Sequence, residues 1–108
     1  MKYVVMIFRT SDAPWPDLPA QLATVRSELT ASGELVSSEG LRPATDGRIV
    51  QLRDGEQVVT SGPFGGPQQL AGFLLIDVTD EDRAEAVAAQ VSAAVGDRVE
   101  LRGTLLSA

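Results

Sequence analysis

Glu39 and Arg42 are the residues whose types and spacing come closest to a chemical signature. They lie in Ser37-Ser38-Glu39-Gly40-Leu41-Arg42, a carboxylate shortly before a guanidinium with two hydroxyls at its side. A carboxylate held in a mostly apolar cavity binds its proton more tightly and can take one from a substrate. A guanidinium can hold a ligand carboxylate through paired hydrogen bonds. The plainer account is a solvated strand-edge glutamate, with Arg42 and Arg9 as ordinary surface charges. Ser61 is the one serine in Val58-Val59-Thr60-Ser61-Gly62-Pro63-Phe64-Gly65-Gly66-Pro67, a glycine-rich stretch leading into a long apolar run. Loops fixed between strands commonly carry sites. Ser61 would either meet a ligand at the end of its strand or simply stabilise the turn.

The residue types that are missing narrow the chemistry. The chain has no histidine and no cysteine. A Ser-His-Asp triad, a histidine or thiolate metal site, a disulfide and a cysteine nucleophile are therefore impossible within one chain. The glycine-rich loop is a poor phosphate cradle, since no GxxxxGK[ST] follows and two prolines remove donors. Asp77, Asp80, Glu81, Asp82 and Glu85 form an acidic run, but helix-start acids explain it and no calcium-loop spacing is present. No metal and no cofactor is expected.

Nine basic residues stand against fifteen acidic ones, a net charge of −6. A phosphate backbone would repel such a chain, and Lys2 is its only lysine, so nucleic-acid binding is not expected. The apolar N-terminal run from Tyr3 to Phe8 is too short for a signal segment or a membrane span, which points by default to a cytoplasmic protein with no membrane partner. At 108 residues the chain is expected to be a single domain, residues 1–108.

The elements that must position these residues follow from periodicity. Lys2–Phe8 is a nearly unbroken β-branched and aromatic run and reads as a strand buried on both faces. A polar turn follows at Arg9-Thr10-Ser11-Asp12, then a stiff connector with Trp15 between Pro14 and Pro16. Trp15 would be a lid over a cavity mouth or a plug in a subunit contact. Asp17 is a good helix cap, with Leu18, Leu22, Val25 and Leu29 as the buried stripe and Gly33 as the stop.

Glu34–Leu41 reads as a weaker, partly polar strand. Asp46-Gly47 is a turn signal, and Asp54-Gly55 between Arg48–Arg53 and Glu56–Thr60 is a strong hairpin signature. Leu70–Val78 repeats the apolar pattern of the first strand. A helix starts near Thr79-Asp80 with Ala84, Val87, Ala88, Val91 and Val95 facing inward, and Gly96 ends it. Arg98–Leu106 alternates as a half-exposed strand.

This order is an α+β, ferredoxin-like βαββαβ plan with an inserted β-hairpin. Both helices would cover one face of the sheet, yet the two central strands are apolar on both faces. A second copy of the chain is the simplest cover, giving a homodimer and a dimeric α/β barrel around a cavity. The alternative is that the inserted hairpin folds back over its own sheet. Phe64 and Phe73 are core or dimer-interface residues more readily than stacking platforms for a ligand.

Lys2–Phe8, Gly33–Leu41, the Asp-Gly hairpin, Val58–Val78 and Val99–Arg102 together resemble the YCII-related proteins over nearly the whole chain. Within them the chain is most similar to the branch named for an Asp-Gly-Pro-Phe (DGPF) motif. The resemblance implies the dimeric α/β barrel, a fold similar to that of muconolactone isomerases. It also implies a largely uncharacterised activity, and for some members a link to extracytoplasmic-function sigma factors. The chain departs from the motif, with Ser61 where the branch has aspartate before the matching Gly62, Pro63 and Phe64. It also lacks the His-Asp pair of the wider group. A serine with no histidine to activate it does not inherit a general-base role.

The expected function is therefore a homodimer that binds or senses an unknown small molecule, with Ser61, Arg42, Arg9, Phe64 and Trp15 as candidate ligand contacts. The competing reading is a cofactor-free isomerase or lyase on a small lactone or enol acid. There Glu39 is the catalytic base, and Arg42 or Ser61 orients the substrate. A purely structural module is the third.

Overall fold

The computed structural model describes residues 1–10 and 12–106. Ser11, part of the expected polar turn, lies outside the described residues. The elements are β1 (Lys2–Thr10), α1 (Leu18–Gln21), α2 (Ala23–Ser32), β2 (Leu35–Gly40), β3 (Arg48–Arg53), β4 (Glu56–Ser61), β5 (Gln68–Asp77), α3 (Glu81–Val95) and β6 (Val99–Gly103). The fold is α+β. Four strands form an antiparallel sheet in the order β2-β5-β1-β6, and β3 with β4 forms a separate two-stranded ribbon.

The alternation of side chains along β1 divides the molecule. Tyr3, Val5 and Ile7 are buried, and so are Ala71, Leu74 and Ile76 of β5. All of these face the helices. Burying each of the larger ones is worth about 1.5–3 kcal/mol. The helices supply the matching stripes: Leu18 and Leu22, then Val25 and Leu29, then Ala84, Val87, Ala88, Val91 and Val95. The alanines of α3 leave room for its axis to sit close to the sheet.

The helix expected from Asp17 to Gly33 is interrupted at Leu22, whose φ of −96° and ψ of 2° depart from helical values. Hydrogen bonding nonetheless runs through the interruption, from Leu22 N–H to the Leu18 carbonyl (2.8 Å) and from Arg26 N–H to that of Leu22 (2.9 Å). Leu18 and Leu22 both remain buried. Gly33 and Gly96 end α2 and α3 in left-handed conformations that glycine adopts at no steric cost. Asp80, within the expected Thr79-Asp80 start, caps α3 by accepting from Arg83 N–H at 2.8 Å.

Gly72 in β5 is required by close approach. A Cβ there would lie 2.4 Å from Leu18 Cδ1 and 2.7 Å from the Glu39 carbonyl oxygen. Only glycine lets α1 and β2 press against β5 at that level. Just beyond it the β1–β5 register shifts between Ile7 and Phe8.

Among the described residues, nothing covers the opposite face of the sheet. Residues directly opposite in an antiparallel ladder share a face. The register therefore places Glu39, Phe73, Met6 and Glu100 in one row across the open side, and Ser37, Leu75, Val4 and Arg102 in the next. Val4, Met6, Phe8, Phe73 and Leu75 are only half-buried. The ribbon does not close this face. The shortest molecular extent is 20 Å, room for one sheet and one helix layer and no third. The longest is 46 Å, and the radius of gyration is 15.6 Å against about 13 Å for a compact domain of this length. The ribbon therefore projects outward. Asp54 (φ 50°) and Gly55 (φ 79°) make its tip, the geometry a two-residue turn demands.

Candidate functional site

Three surface cavities flank β2 and the ends of β1 and β5. The first, of about 380 Å³, lies where the edge strand β2 meets the first helical segment. Its apolar wall is Pro16, Leu18, Pro19 and Leu22; its polar wall holds Arg26, Ser38, Glu39 and Arg42. That volume falls within the range of small-molecule sites, and an apolar wall with a few convergent polar groups is their usual construction. The structure thus brings Glu39 and Arg42 to the rim of one cavity, at the edge of β2, where the Glu39 side chain starts from the open sheet face.

Local structure explains the placement. Gly40 ends the β2 ladder opposite Gly72, and Leu41 N–H continues it with a 2.8 Å bond to the Ala71 carbonyl. Arg42 follows directly, before Pro43 and a single 3₁₀ turn at Ala44–Asp46 redirect the chain. Trp15 Nε1 donates to the Leu41 carbonyl at 2.9 Å, and its ring packs against the main core. Trp15 therefore pins the proline-flanked connector to the segment that carries Arg42. It borders the cavity through that bond without lining it.

Arg26 was not singled out by sequence reasoning. It lies four residues beyond Leu22, which is four beyond Leu18, so the helix puts all three along one side. The 4-4 spacing was readable, but nothing local says that a cavity lies beneath it. Among the described residues, neither Arg26 nor Arg42 has a carboxylate within salt-bridge distance.

The remaining candidates sit elsewhere. Arg9 bridges to Asp97 at 3.7 Å, tying the end of β1 to the turn after α3. Ser61 ends β4 opposite Arg48. Phe64 is 74% exposed, and its carbonyl, with that of Gly66, accepts from Gln69 Nε2 at 2.9 and 3.0 Å. The glycine-rich stretch is thus held by one glutamine side chain at the root of the ribbon. Gly62 serves the same root: a Cβ there would lie 2.9 Å from the Gly47 carbonyl carbon, and its N–H donates to the Gly47 oxygen. A second cavity of about 370 Å³ adjoins this root and shares Leu41 and Arg42 with the first, adding Arg48, Pro63 and Gln69. The third, about 330 Å³, lies by Phe8, Gln68 and Asp97 to Glu100.

A sequence profile decides the family. The YCII-related domain matches residues 1–102. The chain belongs to the YCII-related family. No curated protein matches it. In this YCII-related chain, residues 61–64 read Ser-Gly-Pro-Phe, and they form the ribbon's exit rather than a wall of the first cavity.

The electrostatics of the YCII-related chain concentrate away from that cavity. Arg83 Nε and Nη2 each donate to a different oxygen of Glu34 at 2.9 Å, and Ser32 Oγ donates to Glu34 Oε1 at 2.8 Å. These hydrogen bonds, Arg83 first and Ser32 second, hold the Glu34 carboxyl at about 2 instead of the usual 4.5, against a small opposing effect of burial. The same pair raises Arg83. It fastens the start of α3 to the chain between α2 and β2, so its role is structural. Among the described residues, no helix is long and apolar enough to cross a membrane.

Proposed function

We propose that this protein is a homodimeric small-molecule binding or sensing protein of the DGPF branch, built as a ferredoxin-like sheet in a dimeric α/β barrel. One observation carries the binding reading: a cavity of about 380 Å³ that gathers Arg26, Arg42, Glu39 and Ser38 against Leu18, Leu22 and two prolines. Two guanidiniums without carboxylate partners among the described residues, in a chain of net charge −6, favour a ligand with an anionic group and a short apolar body. The antiparallel order β2-β5-β1-β6 with an apolar, uncovered face supports the barrel. A sigma-factor partner, which the resemblance implies, would give such a sensor its output.

Native mass spectrometry of the purified protein tests both parts at once. A dimer that carries a small acid, lost in Arg42→Ala, is the expected result. A dimer that neither retains nor is stabilised by any carboxylate or phosphate compound would defeat the binding reading.

One observation favours a second reading, a cofactor-free isomerase or lyase: Glu39 and Arg42 line the same cavity, as a base and a substrate carboxylate holder would. Turnover of a lactone or enol acid that persists unchanged in Glu39→Gln would rule it out.

A further inference from the structure

The β3–β4 ribbon is the least explained part of the molecule. Arg48, Val50 and Leu52 lie opposite Ser61, Val59 and Gln57 on one face; Ile49, Gln51 and Arg53 lie opposite Thr60, Val58 and Glu56 on the other. Val50, Val59 and Leu52 are exposed, Leu52 to 76%. A lone two-stranded hairpin is marginal in water and needs a further layer on its apolar side. Nothing among the described residues of its own chain provides one.

The same chain carries a second uncovered surface, the open sheet face with Val4, Met6, Phe8, Phe73 and Leu75. We infer that the ribbon is an arm that docks its Val50–Val59–Leu52 face on a second copy of this chain, along the open sheet face and its rim. Each cavity next to that face is then completed by the partner. This rests on the homodimer reading above and adds the element that closes it.

Three observations select a second copy over another partner. A two-fold axis satisfies one arm and one open face per chain reciprocally, leaving neither over. The areas also fit. Four strands at their usual spacing present about 500 Å² on one face, short of the ~800 Å² per partner of a standard interface. An arm of two six-residue strands adds roughly 200 Å² per face, which brings each partner to about 700 Å², inside the range of standard interfaces. Charge matches as well: Arg48 on the arm's apolar face and Glu39 on the open face form no ion pair among the described residues of their own chain.

A photo-crosslinking residue, benzoylphenylalanine, placed at position 52 tests the arm. Leu52 is exposed, so the replacement leaves the protomer's core intact. The chain has no cysteine, so a Leu52→Cys variant offers a second single-site probe on the same arm. The expected result is a light-dependent covalent dimer whose cross-linked peptides map to β1, β2, β5 or β6 of the other chain. A Val50→Asp/Leu52→Asp variant should weaken dimerisation at least tenfold in sedimentation. Cross-links only within one chain would overturn the arm. So would an unmodified dimer that neither cross-links through position 52 nor loses affinity in the double variant, although the homodimer reading would then stand. A wild-type monomer at micromolar concentration would overturn both.

Discussion

The two faces of the four-stranded sheet share every backbone hydrogen bond and differ in what covers them. Tyr3, Val5, Ile7, Leu74 and Ile76 point into a layer of helices and are buried. One residue along, Val4, Met6, Phe73 and Leu75 point to a side that no described residue covers, and they stay half-exposed. Similar side chains thus belong to two categories. Those on the first face hold the protomer together. Those on the second do little for the protomer and are free to serve contact and binding. The division tells which substitutions should unfold the protein and which should only disarm it.

The sharpest break of the comparison is Leu74→Ala against Leu75→Ala, adjacent residues on opposite faces. The buried Leu74 leaves a cavity and should cost about 3 kcal/mol in urea unfolding. Leu75 should cost about 1 kcal/mol or less in the isolated protomer, with its main effect on dimer affinity. Equal losses of protomer stability would erase the distinction.

Gly72→Ala should cost about 2 kcal/mol, because the new methyl meets Leu18 and the Glu39 carbonyl in a packed interior. Gly65→Ala, with nothing within 4 Å, is the matched control and should lie within about 0.5 kcal/mol of wild type.

The Glu34–Arg83 pair sharpens the comparison by acid titration. The folded carboxyl sits at about 2 and the unfolded one near 4.5, so the pair's contribution is complete above about pH 4.5. It disappears as pH falls towards 2. Partial exposure limits it to on the order of 1 kcal/mol. Glu34→Gln should lower stability by that amount at neutral pH and flatten the decline between pH 4.5 and 2. A variant with the wild-type slope would mean that the pair does not carry it.

The smallest effect on stability, and the most informative for function, is expected from Arg26→Ala and Arg42→Ala. Both side chains are exposed, so melting temperatures should stay nearly unchanged. Binding of an anionic ligand should fall about tenfold or more in each. Loss at Arg42 with none at Arg26 would shift the site towards the ribbon root, where Arg42 and Arg48 share the neighbouring cavity.

Much of this architecture was legible in the residues themselves. The caps at Asp17 and Asp80, the stops at Gly33 and Gly96, the Asp54-Gly55 turn and the inward stripe from Ala84 to Val95 are local. Each is specified by neighbours within about one turn or one hairpin. The lack of histidine and cysteine, with the acidic balance, likewise limits the chemistry whatever the fold. The apolar character of both faces of Lys2–Phe8 was equally plain, because alternation is a property of the strand alone.

The rest depended on distant parts of the chain meeting. Glu34 and Arg83 are 49 residues apart, and no short-range pattern pairs them. Arg26 became a candidate only when α1 and α2 came down beside β2, and Gly72 revealed its necessity only against Leu18. The site residues separated for the same reason. Glu39 and Arg42 share a cavity, while Ser61 and Phe64 go with the ribbon because Gly62 is locked to Gly47. Sequence by itself determined which segments are strands and helices and which stripe each helix would bury, since those are short-range steric and hydrophobic preferences. Tertiary packing alone decided which sheet face the helices cover, where the ribbon points and which charges meet, because those depend on contacts between residues that the chain order keeps apart.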